Sequence, residues 1–280
     1  MKATYIDYSD TLSFSKTLLA YLADDAILKP FYGNKPDLEG FKSQIEQKQS
    51  FAHRATLVQQ LRQDYGDLLN EAPLVAQHID SLQEPQTFTV TTGHQLNIFT
   101  GPLYFIFKIV STIRLAQDLK KAYPAHDFVP VYWMATEDHD FAEINHTRVY
   151  GKKIQWDIPA VAATGRMDTS SMEEVVKDYC NTFGLSANAE RLKALVEDAY
   201  LQGRSLADAT RHFVHALFKD YGVVIVDADA VALKQLFQPI MERDILGEHS
   251  FQAIRKSSAA LEELGFSTQV HPREINFFYL

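Results

Sequence analysis

The stretch FVPVYWM at residues 128–134 is apolar or aromatic throughout, without alternation of polar and apolar side chains. A strand of this kind is buried on both faces, which is typical of a parallel sheet covered by helices. Two further stretches predict strands of the same sheet: TFTVTT at residues 87–92 and GVVIVD at residues 222–227. Helical patterns follow at residues 103–123 and 230–245. The sequence therefore predicts an α/β fold with a parallel sheet.

The remaining residues surround this predicted core. Residues 1–85 are polar and helical in pattern, and we expect them to form a helical region that packs on a core of residues 86–280. A stretch at about 152–221 is mostly helical and longer than a crossover between parallel strands requires, so we interpret it as an insertion. Residues 269–280 predict a final apolar strand. Because such a strand at a terminus is an unprotected edge, we expect the chain to be truncated at residue 280.

Composition narrows the class of protein. The 280 residues include 27 Lys and Arg against 36 Asp and Glu, and the resulting net charge of −9 argues against a nucleic-acid partner. Cys180 is the only cysteine, which excludes a disulfide framework and a cysteine-rich zinc site. Residues 1–7 lack the apolar core of a secretory signal, and no uncharged apolar run approaches the roughly 20 residues of a membrane span. We expect a cytoplasmic protein without a membrane partner.

Ligands of parallel α/β sheets bind beyond the carboxyl ends of the strands, which makes the loop GHQLNIFTGP at residues 93–102 a candidate site. It leads to a helix expected to begin at Pro102, and helix N-termini attract anions. His94, Gln95 and Thr100 offer hydrogen-bond donors, with Lys108 further along the helix. This pattern fits a nucleotide phosphate or a carboxylate. A structural histidine and a lysine that extends to solvent fit it equally.

A second candidate follows the second strand, where residues 137–146 (EDHDFAEINH) contain four carboxylates and two histidines. Burying so many unpartnered charges would cost several kcal/mol per ion. The segment is therefore either a solvated turn or a binding site for an amine, a sugar hydroxyl or a metal ion. After the third strand, Asp227 can bind a ribose or an amine, and Asp229 fits the cap of the next helix.

These stretches together resemble one protein family. The residues that carry the resemblance are TTGHQ at 91–95, TGPLY at 100–104, Lys108, VPVYWMA at 129–135, EDHDFAEINH at 137–146 and HPREINFFY at 271–279. They resemble the BshC family of bacillithiol biosynthesis, the cysteine ligases, over the N-terminal part of longer family members. The resemblance implies a Rossmann-like sheet of the nucleotidyl-transferase and class I synthetase type. It also implies that cysteine is joined to the amine of glucosaminyl malate.

The same resemblance sets further expectations. Residues 93–95 (GHQ) stand where class I synthetases have a His-x-Gly-His signature, with one histidine in place of two, and no Lys-Met-Ser-Lys-Ser-like loop occurs within residues 1–280. The coiled coil that pairs subunits in the family lies outside this chain. We therefore expect a homodimer for the full-length family and a monomer for these 280 residues.

Forming an amide in water requires an activated carboxylate, so we expect ATP with Mg²⁺ as co-substrate and neither a tightly bound cofactor nor a resident metal. The predicted catalytic residues are His94, Asp138, His139 and Asp140. The predicted substrate- and nucleotide-binding residues are Gly93, Gln95, Asn97, Thr100, Gly101, Tyr104, Lys108, Glu137, Asn145 and Asp227.

Two alternatives belong to other functional classes. The first is a metal-dependent hydrolase for a small sugar or amide substrate, in which His94, Asp138, His139 and His146 would hold a divalent ion that activates water. The second is a non-catalytic ligand-binding fragment, since Rossmann-like folds support many functions.

Overall fold

The computed structural model describes residues 4–48, 51–159, 163–275 and 277. The chain divides into two compact units: Met1–Lys48 with Phe237–Tyr279, and Gln49–Leu236 with Leu280. The domain boundaries expected from the sequence stay predictions. Within the described ranges, every helix is too short or too polar to cross a lipid bilayer.

Helices and strands are numbered in chain order. The α-helices are α1 (Lys16–Leu22), α2 (Leu38–Gln47), α3 (Arg54–Tyr65), α4 (Pro73–Ser81), α5 (Tyr104–Ala122), α6 (Phe141–Ile144), α7 (Glu173–Cys180), α8 (Ala187–Tyr200), α9 (Leu206–Phe218), α10 (Val231–Gly247) and α11 (His249–Glu263). The strands are β1 (Thr87–His94), β2 (Asp127–Met134), β3 (His146–Val149), β4 (Lys152–Gln155) and β5 (Val224–Asp227).

Short polar side chains define where several helices begin. Ser15 caps α1 and Asp37 caps α2, each accepting a hydrogen bond from an amide of the first turn. Ser186 and Ser205 do the same for α8 and α9. Such caps satisfy amides that have no partner inside the helix, and each typically stabilises a helix by about 1 kcal/mol. Pro73 at the first position of α4 needs no amide partner.

Three strands form a parallel sheet in the order β1-β2-β5. The central strand β2 is buried along Phe128–Tyr132, as its continuous apolar pattern predicts, while β1 alternates between buried or half-buried and exposed positions. The apolar core of the Gln49–Leu236 unit packs side chains of β2 and β5 against those of α3, α4, α5, α8 and α9. The α/β fold with a Rossmann-like parallel sheet is confirmed.

One tyrosine completes the hydrogen bonding of β5. The Tyr65 hydroxyl, at the end of α3, accepts a hydrogen bond from the Ile225 amide at 2.7 Å and donates to the Val223 carbonyl at 3.4 Å. Tyr65 is 2% exposed. The side chain thus serves backbone groups that would otherwise be buried without partners, a situation that destabilises a fold.

The structure departs from the sequence predictions at two places. The stretch expected to be mostly helical contains β4, which pairs antiparallel with β3. Tyr150 and Gly151 join the two strands with φ of 49° and 82°. Positive φ at both central residues is typical of a tight hairpin turn, whose twist matches that of the strands.

The second difference concerns the final strand that we expected over residues 269–280. Residues 269–275 and 277 are not in a strand, so the prediction is wrong there. The remaining positions, 276 and 278–280, lie outside the described residues. Pro272 in this stretch has no amide hydrogen to donate to a neighbouring strand.

Candidate functional site

The three parallel strands end side by side. His94, Met134 and Asp227 are the last residues of β1, β2 and β5, and they are paired in register. The backbone continues this alignment: the Ala135 amide donates to the His94 carbonyl at 3.1 Å, and the Ala228 amide donates to the Met134 carbonyl at 3.2 Å. The three segments singled out in the sequence therefore leave the sheet at one edge, where ligands of parallel α/β folds bind.

Gln95 joins the loop after β1 to the acidic segment after β2. Its Nε2 donates to Asp138 Oδ2 and to Glu143 Oε2, both at 2.8 Å. Asn97 adds a weaker contact, from its Nδ2 to the backbone carbonyl of Glu143 at 3.3 Å. Because an amide nitrogen carries two hydrogens, one glutamine can hold two carboxylates at once. The structure thus brings together the two segments that the sequence analysis assigned to one site.

His94 lies beside this bridge, in an aromatic environment. Its ring packs against Tyr104 and Phe105, with centroids 5.2 Å and 5.1 Å away. Burial lowers the pKa of the imidazole below its ordinary value, which favours the neutral ring. Nδ1 lies 3.0 Å from the Gln95 carbonyl oxygen, so in the neutral ring Nδ1 carries the hydrogen. Nε2 is then a buried acceptor, without a hydrogen-bond partner among the described residues.

The loop between β1 and α5 has an unusual backbone. Phe99, Thr100 and Gly101 have φ of 54°, 70° and 57°. A Cβ atom added at Gly101 would lie 2.6 Å from Asn97 Cβ, so this position requires glycine on both counts. Phe99 anchors the loop: its amide donates to Tyr200 Oη at 3.1 Å, and its ring stacks on Tyr179 at 4.1 Å.

The start of α5 corrects one prediction. The helix begins at Tyr104 rather than at Pro102, with Leu103 at the cap position, and no side chain caps it. Lys108, one turn further on, donates from Nζ to the Gly93 carbonyl. Its ammonium therefore faces the end of β1 instead of extending away into solvent.

Asp227, the last residue of β5, is the centre of a hydrogen-bonded network. Its Oδ1 accepts from the Thr136 hydroxyl and from the Asp229 amide, the latter at 2.9 Å. Its Oδ2 lies 3.2 Å from Arg211 Nη2, and Arg211 Nη1 lies 3.9 Å from Asp64 Oδ2. Arg211 is only 3% exposed. The network ties the ends of β2 and β5 to helix α9.

Asp229 forms ion pairs with two cationic side chains. Arg166 donates to both of its oxygens, at 2.6 Å and 2.9 Å, and Lys234 donates to Oδ1. Burial alone would raise the pKa of the Asp229 carboxyl, but the bonds from Arg166 and Lys234 outweigh it and hold the pKa below its ordinary value. This carboxylate is therefore charged and fully engaged.

The remaining predicted residues of the acidic segment differ in exposure. The side chain of His139 is 63% exposed, with Nδ1 3.9 Å from Asp138 Oδ1, and Asp140 is exposed. Glu137 is half-buried. Asn145 is buried, and its backbone carbonyl accepts from the Trp156 amide at 2.7 Å. The roles assigned to these residues, Asn145 in ligand binding included, stay predictions.

The sequence did not lead us to predict several residues that lie at or near the carboxyl ends of the strands. Arg211 was one, although the sequence held a signal: it shares a helical stripe with Ala207, Val214 and Phe218, which are all buried. Gly165 was another. A Cβ atom there would lie 2.7 Å from Thr136 Cβ, so the close approach of the two backbones needs a glycine. The other residues missed are Asp64, Glu143, Arg166 and Lys234.

The metal-ligand set of the hydrolase alternative is not assembled. Over the ranges that the structure describes, no group of three or more His, Cys, Asp and Glu side chains lies close enough to hold a metal ion. His94 Nδ1 faces a backbone carbonyl, and His146 Nδ1 lies 3.2 Å from Asn145 Oδ1.

Comparison with known proteins gives a consistent match. Residues 1–280 match the family described as "Bacillithiol biosynthesis BshC, N-terminal Rossmann-like domain". A relative from Flavobacterium psychrophilum, named "Putative cysteine ligase BshC", is 45% identical over 284 residues, which cover 100% of this chain and 53% of the relative. A relative of the same name from Flavobacterium johnsoniae is 43% identical, and the match covers 100% of this chain and 53% of the relative. Another from Chloroherpeton thalassium is 29% identical, and the match covers 95% of this chain and 50% of the relative.

The chain thus spans about half the length of the curated relatives that it matches. The family match extends over the entire chain, and the parallel sheet agrees with the fold in the family's description. On these grounds the chain belongs to the BshC family, matching its N-terminal Rossmann-like domain.

Proposed function

We propose that this chain provides the substrate-binding edge of a ligase that joins the carboxyl group of cysteine to the amine of glucosaminyl malate in bacillithiol biosynthesis. Two findings support the proposal: the names of the relatives, and the double hydrogen bond from Gln95 to Asp138 and Glu143. The hydrogen bonds carry the most weight, because they make one site from two segments that the sequence places more than 40 residues apart.

The charges at this edge suit an amine substrate. Glu137, Asp138, Asp140 and Glu143 concentrate negative charge beyond β2, and carboxylates attract an ammonium group or accept hydrogen bonds from sugar hydroxyls. Gln95 fixes two of these carboxylates at a defined separation. A substrate that meets fixed groups loses less binding free energy to their ordering.

The loop of residues 95–103 can bind negatively charged groups of a substrate. Thr100 and the start of α5 offer donors for carboxylate or phosphate oxygens, and Lys108 adds a cation beside Gly93. Carboxylate activation by ATP, with Mg²⁺ bound to the nucleotide, would make the cysteine carboxyl reactive toward the amine. Donors aimed at the charge that develops on phosphate are worth about 3–4 kcal/mol each in transition-state stabilisation. ATP enters as a co-substrate, and the cytoplasm is the compartment proposed for the reaction.

Isothermal titration of the chain with glucosaminyl malate tests the binding part of the proposal. Gln95→Ala and Asp138→Asn should each weaken binding at least about tenfold, equivalent to about 1.4 kcal/mol. Asp118→Asn is a matched control, because this carboxylate lies on α5 and pairs with Arg114 and Lys121. It should leave the Kd unchanged. Equal affinity for the wild type and both site variants would contradict the proposal.

Ligation itself is measured by following amide formation from cysteine, glucosaminyl malate and ATP. A protein that binds glucosaminyl malate with the expected sensitivity to Gln95→Ala but forms no amide would support the ligand-binding alternative instead.

A further inference from the structure

We propose that Glu137 is the catalytic base that removes the proton from the attacking amine, an inference that rests on the proposed ligase function. Glu137 directly follows Thr136, whose hydroxyl binds Asp227, and directly precedes Asp138, which binds Gln95. Both neighbours are therefore fixed by hydrogen bonds from other segments. Glu137 is held between them, in the first turn beyond the carboxyl end of β2.

Two other carboxylates beyond β2, Asp138 and Glu143, are already engaged, and Asp140 is exposed. Asp138 accepts from Gln95 at Oδ2 and from the Asp140 amide at Oδ1, at 2.8 Å and 2.9 Å. Glu143 also accepts from Gln95. Hydrogen bonds to a carboxylate favour its charged form and make it a weaker base.

The carboxylates beyond β5 are held more strongly still. Asp227 accepts from the Thr136 hydroxyl and contacts the buried Arg211 guanidinium, and Asp229 carries Arg166 and Lys234. Neither is free to take a proton from a ligand without breaking these charge-assisted bonds.

Glu137 differs from the four engaged carboxylates. Its Oε2 is buried and has no hydrogen-bond partner within the part of the chain that the structure describes. The charged groups that face it are Lys234 on α10, Asp138 in its own segment and Asp229 after β5. Burial raises the pKa of the Glu137 carboxyl above its ordinary value. The negative charges of Asp138 and Asp229 also raise this pKa, whereas the backbone amide of Glu137 and the Lys234 ammonium lower it. A carboxylate with a raised pKa is better matched to general-base catalysis.

Atoms and electrons balance in the proposed step. The amine nitrogen of glucosaminyl malate attacks the carbonyl carbon of the ATP-activated cysteine, and the new C–N bond forms as the C–O bond to the phosphate leaving group breaks. The leaving group departs with the electron pair of that bond. The proton of the amine passes to a Glu137 oxygen and later to water, so that Glu137 returns to its charged form.

The test compares ligation by the complete protein with that of Glu137→Gln, which keeps the size of the side chain and removes the base. We expect kcat to fall about 10²- to 10⁴-fold, with KM for glucosaminyl malate changed less than about threefold. The decline of kcat at low pH in the wild type should be absent from the variant. In Glu137→Ala, added formate should restore part of the rate. Glu174→Gln, an exposed position on α7, is the matched control and should behave as the wild type.

Three outcomes separate the possible failures. A Glu137→Gln variant with near-wild-type kcat, or one in which only KM rises, overturns the assignment of Glu137 as base. Loss of rate in Glu137→Ala without rescue by formate, with folding verified by circular dichroism, also counts against it. A wild-type protein that forms no amide overturns the proposed ligase function, and the inference with it.

Discussion

At the scale of single residues, the candidate site depends on side chains that link segments distant in the sequence. Gln95 contacts Asp138 and Glu143, and Thr136 contacts Asp227. The sequence indicated that these segments share one edge, because each follows a predicted parallel strand. It could not indicate which side chains would meet, since that depends on backbone positions set only by the folded chain.

Gly101 allows a test of the loop that carries Asn97 and Thr100. Gly101→Ala should reduce the free energy of unfolding by about 1–3 kcal/mol, because φ is 57° and the new Cβ would lie 2.6 Å from Asn97 Cβ. Urea denaturation measures the change. Gly184→Ala is the control, since a Cβ there meets nothing within 4 Å, and it should change stability by less than about 1 kcal/mol. Equal stability of the two variants would contradict a strained backbone at Gly101.

At the scale of elements, the strands of the sheet were predicted from sequence to within a few residues. The stretches at 87–92, 128–134 and 222–227 correspond to β1, β2 and β5. A strand buried by helices leaves a continuous apolar pattern, as in β2 and β5, whereas β1 is recognised by its β-branched and aromatic residues. The hairpin of β3 and β4 was not predicted. Its strands have four residues each, and the turn at Tyr150 and Gly151 lacks the Asn-Gly or Asp-Gly pattern that identifies such turns in a sequence.

Helix α9 contacts the end of β5 through Arg211, which pairs with Asp227. Arg211→Met should reduce the free energy of unfolding by about 3–5 kcal/mol, because the largely buried carboxylates of Asp64 and Asp227, 15% and 17% exposed, would lose their cation. Chemical denaturation followed by circular dichroism gives the value. The matched control is Arg114→Met on α5, whose side chain is 68% exposed and pairs with Asp118. Its effect should stay below about 1 kcal/mol, as for other surface ion pairs. An effect of Arg211→Met no larger than that would show that the network contributes little to stability.

At the scale of the whole molecule, one buried histidine should make stability depend on pH. Burial lowers the pKa of His215 to about 4, with the positive charges of Lys219 and His212 adding to the effect. Between the ordinary pKa of about 6.5 and pH 4, the unfolded chain binds a proton that the folded chain does not. Stability is therefore lost as the pH falls through this range, by about 3 kcal/mol from His215.

Urea unfolding at pH 7 and at pH 4 measures this loss. His215→Phe removes the titrating group and retains an aromatic ring next to Tyr65, which now lies 5.5 Å from the His215 ring. The variant should lose about 3 kcal/mol less than the wild type between the two pH values. His53→Gln, at an exposed position, should leave the pH dependence unchanged. An identical pH dependence in His215→Phe and the wild type would contradict the burial of a neutral ring.

The phenol of Tyr65 has a consequence for how the sheet can be extended. The Ile225 amide and the Val223 carbonyl lie two residues apart, and a side chain occupies both. A further strand would need such a pair of groups to extend the sheet. The Tyr65 side chain thus takes the place at these two groups that a neighbouring strand would otherwise fill.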